Sequence, residues 1–289
     1  MAIKGDKIDE IKIVKFDSQS LYRMVLFNNA TQLLITDEIK SVLHVFDTNG
    51  AHLESVNPEC LLKQPLGLYV LIKKDFEEEI YVGDCQTHQV IIFNSDFSYK
   101  SQFGDERIQV PQFMQIDCEG NTTQMYISDI KNNEITVWNT EKSQFVGKIE
   151  IDSPLEMKFD SEHLFVTSGI SFQLNETSKV VEKIEKGCNS IFVLNKNYPF
   201  EVKREINRTD WLSLSTLHIT TNNFLYTIAY ELSKEGAKSE FKSFYQIDQN
   251  GKIFKKILLE GVQYLCDVIF LNNTILICST NEIKIIKFC

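Results

Sequence analysis

The chain has 289 residues, 43% hydrophobic and 24% charged, the ordinary balance of a globular protein. Its formal net charge of −10 argues against non-specific binding to a polyanion, and it contains no run of about 18 apolar residues, so no membrane span is expected. Seven scattered cysteines without a CxxC pair, and a charged Met1–Lys15 in place of an apolar leader, lead us to expect reduced thiols in a cytoplasmic protein.

The first segment, Asp9–Phe16, alternates Ile11 and Ile13 with lysines and reads as a half-buried strand. A unit follows: Leu21–Phe27, Gln32–Thr36 with Asp37, Val42–Phe46 and His52–Val56. The turn Asp47-Thr48-Asn49-Gly50 separates its last two strands, and Asn-Gly supplies the positive-φ residues a tight hairpin needs. The second unit has Leu66–Ile72, Glu79–Gly83 with Asp84, Gln89–Phe93 and Phe97–Phe103. The third has Phe113–Asp117, Gln124–Ser128 with Asp129, Glu134–Trp138 and Gln144–Ile149.

These three units share a ruler. Asp37 to Phe46, Asp84 to Phe93 and Asp129 to Trp138 are each nine positions apart. An acidic strand end, a short turn and an alternating strand closing on an aromatic form a hairpin signature, and its recurrence marks an array.

Three looser units complete the chain. The fourth has Pro154–Phe159, Leu164–Thr167, Ser190–Leu194 and Phe200–Ile206, with an insertion at Gly169–Asn189. The fifth has Leu214–Thr220, Phe224–Ile228, Lys242–Ile247 and Lys252–Leu258, with an insertion at Tyr230–Phe241 and the turn Asp248–Gly251. The sixth has Tyr264–Leu271, Thr274–Cys278 and Glu282–Phe288 and stops one strand short. Asp9–Phe16 supplies that strand, which removes exposed sheet edges. The expected fold is an all-β, six-bladed β-propeller in one domain, 1–289. Its closing strand is 9–16 and its blades are 21–57, 64–104, 110–151, 153–206, 211–259 and 263–289. A linear solenoid would need shorter repeats and parallel strands.

The second unit resembles an NHL repeat. The matching residues are Pro65-Leu66-Gly67, Ile80-Tyr81-Val82-Gly83-Asp84, Thr87-His88-Gln89-Val90 and Phe93, with Thr87 where that family usually has Asn. The resemblance implies a six-bladed propeller. Some such domains read single-stranded RNA, and looser relatives include lyases and lactonases.

Residues that carry chemistry are sparse. Asp37, Asp84 and Asp129 recur at one place in each unit, which points to turns rather than to an acid–base pair. On the innermost strands the metal-ligating types are Glu156, His218 and Asp267, too few for a metal ring. No GxSxG, P-loop or dinucleotide fingerprint is present. We therefore expect no enzyme activity, metal or cofactor.

Binding is the expected role, with a protein partner favoured over RNA. The candidate face is the one on which the innermost strands enter. There the sequence offers Arg23, His88, Arg107, Phe113, Arg208, Trp211 and Tyr264, with Tyr22 beside the first inner strand. The first insertion adds Lys179, Lys183 and Lys186 among Val180, Val181 and Ile184, a spacing that suits a short amphipathic docking helix. Residues 1–168 carry a net −12 and residues 169–289 a net +2, so the second half is better suited to anionic contact.

Overall fold

The structure is a computed structural model that describes residues 8–18, 20–118, 123–169, 172–174, 181–183, 190–196, 200–207, 211–219, 225–231, 241–258, 265–271 and 274–288. It is a six-bladed β-propeller of six four-stranded antiparallel sheets. Blade 1 is Leu21–Phe27, Gln32–Asp37, Val42–Asp47 and His52–Val56. Blade 2 is Pro65–Ile72, Glu78–Asp84, Gln89–Asn94 and Tyr99–Phe103. Blade 3 is Pro111–Asp117, Gln124–Asp129, Glu134–Asn139 and Gln144–Glu150. Blade 4 is Pro154–Phe159, His163–Ser168, Ser190–Asn195 and Val202–Asn207. Blade 5 is Trp211–Ile219, Leu225–Glu231, Phe241–Ile247 and Ile253–Leu258. Blade 6 is Leu265–Leu271, Thr274–Ser279 and Glu282–Phe288, completed by the chain's first strand, Ile8–Lys15. That strand pairs antiparallel with Glu282–Phe288, from Lys15 opposite Glu282 to Ile8 opposite Phe288. No helix among the described residues is long and apolar enough to cross a membrane.

The chain divides into two compact units. The first comprises Met1–Ile127, Thr136–Gly147 and Val262–Cys289. Within it the aromatic of each nine-residue ruler packs one blade against the blade before it. Phe46 lies fully buried among Leu276, Ile283 and Ile285 of blade 6. Phe93 lies among Leu34 and Val45 of blade 1, and Trp138 beside Phe103 of blade 2. Burying one such ring is worth roughly 1.5–3 kcal/mol, so the repeated aromatic is a repeated staple. Glycines permit the closest approach. A Cβ on Gly67 would stand 2.5 Å from the Pro111 carbonyl oxygen, and one on Gly83 would stand 2.9 Å from the Pro111 side chain. The Pro-x-Gly entry of blade 2 therefore exists to seat blade 3.

The second unit comprises Ser128–Ile135 and Lys148–Gly261. Its core joins Phe165, Ile191, Val193 and Ile206 of blade 4 to Leu214, Leu217, Leu225, Tyr245 and Ile247 of blade 5. The first insertion departs from the expected amphipathic helix. Phe172–Leu174 pairs antiparallel with Val181–Lys183, so those residues form a two-stranded ladder, while residues 175–180 and 184–189 of the expected helix lie outside the described residues. Alternate residues of Val-Val-Glu-Lys suit a strand as well as a helical stripe, and the β-branched pair favours the strand. In the second insertion the blade strands themselves run on, with Glu231 opposite Phe241.

Candidate functional site

The strand-end aspartates are structural. Asp84 accepts hydrogen bonds from the backbone N–H groups of Lys63, Gln64, Gln86 and Thr87, all at 2.8–3.1 Å. It ties the entry of blade 2 to the turn that follows its second strand. Asp129 accepts from the N–H groups of Lys131 and Asn132. In blade 1 side chains replace part of this pattern: Asp37 accepts from the Ser18 and Ser20 hydroxyls at 2.6 and 2.8 Å and from the Lys40 N–H at 2.9 Å. Burial opposes its charge, but these bonds and one from His44 outweigh burial and hold the carboxyl well below the usual carboxylate range.

The residue after each strand-end position marks the mouth. The N–H of Glu38 donates to the Ser20 carbonyl, and that of Cys85 to the Gln64 carbonyl. These bonds bring the second strand's end against the entry of the inner strand. In the first unit a half-exposed polar group forms there. Gln112 Nε2 donates to the Tyr22 hydroxyl at 2.6 Å, and Gln64 Nε2 donates to Glu38 Oε1 at 2.6 Å. Burial pushes the Tyr22 hydroxyl well above the ordinary tyrosine range, and the nearby Cys266, Glu38 and Cys85 add to the shift. Tyr22 therefore stays protonated and keeps an O–H to give. The group offers amide oxygens, a phenol and one carboxylate, and suits a donor-rich, positively charged group.

Several sequence candidates lie elsewhere. Arg23 is placed by its charge on the rim, but the structure buries it at 5% exposure, with Nη1 3.0 Å from Asp267 Oδ1 and the guanidinium 4.0 Å above the Phe113 ring. Phe113, itself 5% exposed, is a buried platform for Arg23 rather than an open stacking surface. His88 sits in a turn at φ +58° and donates from Nδ1 to the Ile108 carbonyl at 2.8 Å, linking blade 2 to the connection into blade 3. Arg107 is exposed, pairs with Asp105 and lies 4.6 Å over the Phe145 ring of an outer strand. Lys179, Lys186, Arg208 and Tyr264 lie outside the described residues, as do the side chains of Lys183 and Trp211.

In the second unit Glu156 pairs with Lys158 at 3.0 Å. His218 lies beside them, and burial, reinforced by Lys158, lowers its imidazole to about 4. Asp267 is engaged by Arg23 and by the Met24 and Val268 N–H groups. Among the described residues no three His, Cys, Asp or Glu side chains are placed to hold a metal ion.

No family model matches the sequence, and no curated protein matches it. Solved structures share its fold. Virginiamycin B lyase from Staphylococcus aureus aligns with a TM-score of 0.61 at 11% identity, over 97% of this chain and 99% of its own. Hydrazine synthase from Kuenenia stuttgartiensis aligns with 0.65 at 11%, over 91% and 75%. The WD40 repeats of RRP9 align with 0.61 at 10%, over 100% of both chains. Enzymes and a WD40-repeat protein thus share this architecture, and at such identities the likeness shows the fold alone. The likeness to NHL repeats remains one of motif.

Proposed function

We propose that the chain is a non-catalytic recognition module that holds a protein partner on the face where the inner strands enter. The observation that carries this reading is the half-exposed group Tyr22, Glu38, Gln64 and Gln112. It draws on blades 1, 2 and 3, and its hydrogen-bond acceptors outnumber its donors. A lysine or arginine of the partner fits it, with Glu38 as counter-charge. A single-stranded RNA ligand is less well supported, because Arg23, next to Tyr22 in the chain, is committed to Asp267 and the chain carries a formal net charge of −10. Lys179, Lys183, Lys186, Arg208, Trp211 and Tyr264 stay in this proposal as candidate binding residues from the sequence alone.

The test is retention of co-purifying proteins by Glu38→Lys and Glu38→Gln variants. Reversing the charge is expected to release the partner, and the neutral change to weaken it. Unfolding free energy should stay within about 0.5 kcal/mol of the parent, as for surface changes generally. If the lysine variant retained every partner, the reading would be wrong for this mouth. A salt-dependent shift of labelled single-stranded RNA would instead favour the nucleic-acid reading.

A further inference from the structure

A second constellation runs outward across blade 1 from Asp37, the chain neighbour of Glu38. His44 and Ser55 are directly opposed on its third and fourth strands. His44 Nδ1 lies 2.7 Å from the Ser55 hydroxyl, and its Nε2 lies 3.2 Å from Asp37 Oδ2. Asp37 is fully buried and His44 is 2% exposed, yet Ser55 is exposed. His52 Nε2 also approaches the Ser55 hydroxyl, at 2.9 Å.

The donor order follows from Asp37. A carboxylate only accepts, so His44 Nε2 donates to Asp37, and in the neutral ring Nδ1 presents a lone pair. The Ser55 hydroxyl then donates to Nδ1, and His52 Nε2–H donates to the Ser55 oxygen. The Phe16 ring fixes both imidazoles, 4.6 Å from His44 and 4.9 Å from His52. A hydroxyl at the end of a buried carboxylate–imidazole pair is the arrangement that makes serine a nucleophile.

We propose that Ser55 is an activated acyl-acceptor site, open to solvent, that takes an acyl group from an activated ester or thioester. The Ser55 oxygen bonds to the acyl carbon. The bond from that carbon to the leaving oxygen or sulfur breaks, and the leaving atom keeps the electron pair. The hydroxyl proton passes to His44 Nδ1 and then to the leaving group. The products are acyl-Ser55 and the free alcohol or thiol. Asp37 is a positioning residue that fixes the His44 tautomer.

The full chain, treated with p-nitrophenyl acetate and mapped by mass spectrometry, tests this. Ser98 is the internal reference: it is exposed and hydrogen-bonded to Asp96, with no imidazole partner. General-base assistance is worth at least about a hundredfold, so Ser55 should acetylate about a hundred times faster than Ser98. His44→Gln, if still folded by circular dichroism, should bring Ser55 down to the Ser98 rate. Should His44→Gln fail to fold, the ratio of Ser55 to Ser98 in the unaltered chain decides alone. A ratio near one, or a rate unchanged in folded His44→Gln, overturns the proposal.

Discussion

Arg23 and Asp267 form an ion pair at 3.0 Å that joins the inner strands of the first and last blades, with both side chains almost wholly removed from water. Such a pair stabilises little against an apolar replacement, but losing one partner leaves a buried charge. Asp267→Ala is expected to destabilise the protein by about 3–5 kcal/mol, because it takes the carboxylate counter-charge from the buried Arg23 guanidinium and removes the acceptor of the Met24 N–H. Chemical denaturation checks this. A loss below about 1 kcal/mol would mean that Arg23 reaches solvent or another acceptor.

The Asp-x-Asn-Gly turns of blades 1 and 5 repeat one packing device. Gly50 and Gly251 both have φ of +84°. A Cβ on Gly50 would stand 2.5 Å from Val14 Cγ2, and one on Gly251 would stand 2.7 Å from Ile206 Cγ2. Val14 and Ile206 each lie on the outer strand of the preceding blade. Gly50→Ala and Gly251→Ala should each cost more than about 1 kcal/mol, through positive φ and overpacking together. Gly147→Ala, where nothing lies within 4 Å, should be near neutral. Equal effects at all three positions would refute the packing explanation.

Acid should destabilise the fold in two windows. His218 is held at about 4 against an ordinary 6.5, so the unfolded chain binds its proton more readily. Its contribution is complete above 6.5 and is lost as the pH falls toward 4, on the order of 2–3 kcal/mol given its partial exposure. Asp37 lies below its ordinary 3.8, so its contribution is complete above that value and is lost as the pH falls further. Denaturant midpoints measured from about pH 7 to about pH 3 should show both declines. His218→Gln should flatten only the upper one, and an unchanged upper slope would mean that His218 is not the group responsible.

Removal of residues 1–16 should expose the edge of Glu282–Phe288 and take away Val14, against which the Gly50 turn packs. Exposed edges invite pairing with other chains. Size-exclusion chromatography is expected to show aggregation, or the truncated chain to melt well below the parent. A monomer with an unchanged Tm would show that this strand does not support the last blade.

Blade count and closure were legible because their signals are local. Period-two alternation, Asn-Gly turns and the nine-residue spacing from Asp to an aromatic each depend on a few neighbouring residues. The backbone meets those demands whatever lies across the core. The unpaired first strand and the incomplete last unit predicted one another, since an open sheet edge is unfavourable on either side.

The environment of individual side chains was not legible in this way. Arg23 reads as a rim charge because charged residues are rarely buried, and the approach of Asp267, 244 positions later, with the Phe113 ring beneath it, makes its burial tolerable. Val181–Lys183 fits a helical stripe or a strand, and the ladder with Phe172–Leu174 decides it. The link from Asp37 through His44 to Ser55 has no motif, because cross-strand register rather than spacing along the chain brings the three together. The sequence alone determined the repeat, its hairpins and the strand that completes blade 6. Tertiary structure decided which polar groups face each other, because hydrogen bonds and ion pairs depend on distances of a few ångströms between strands far apart in the chain.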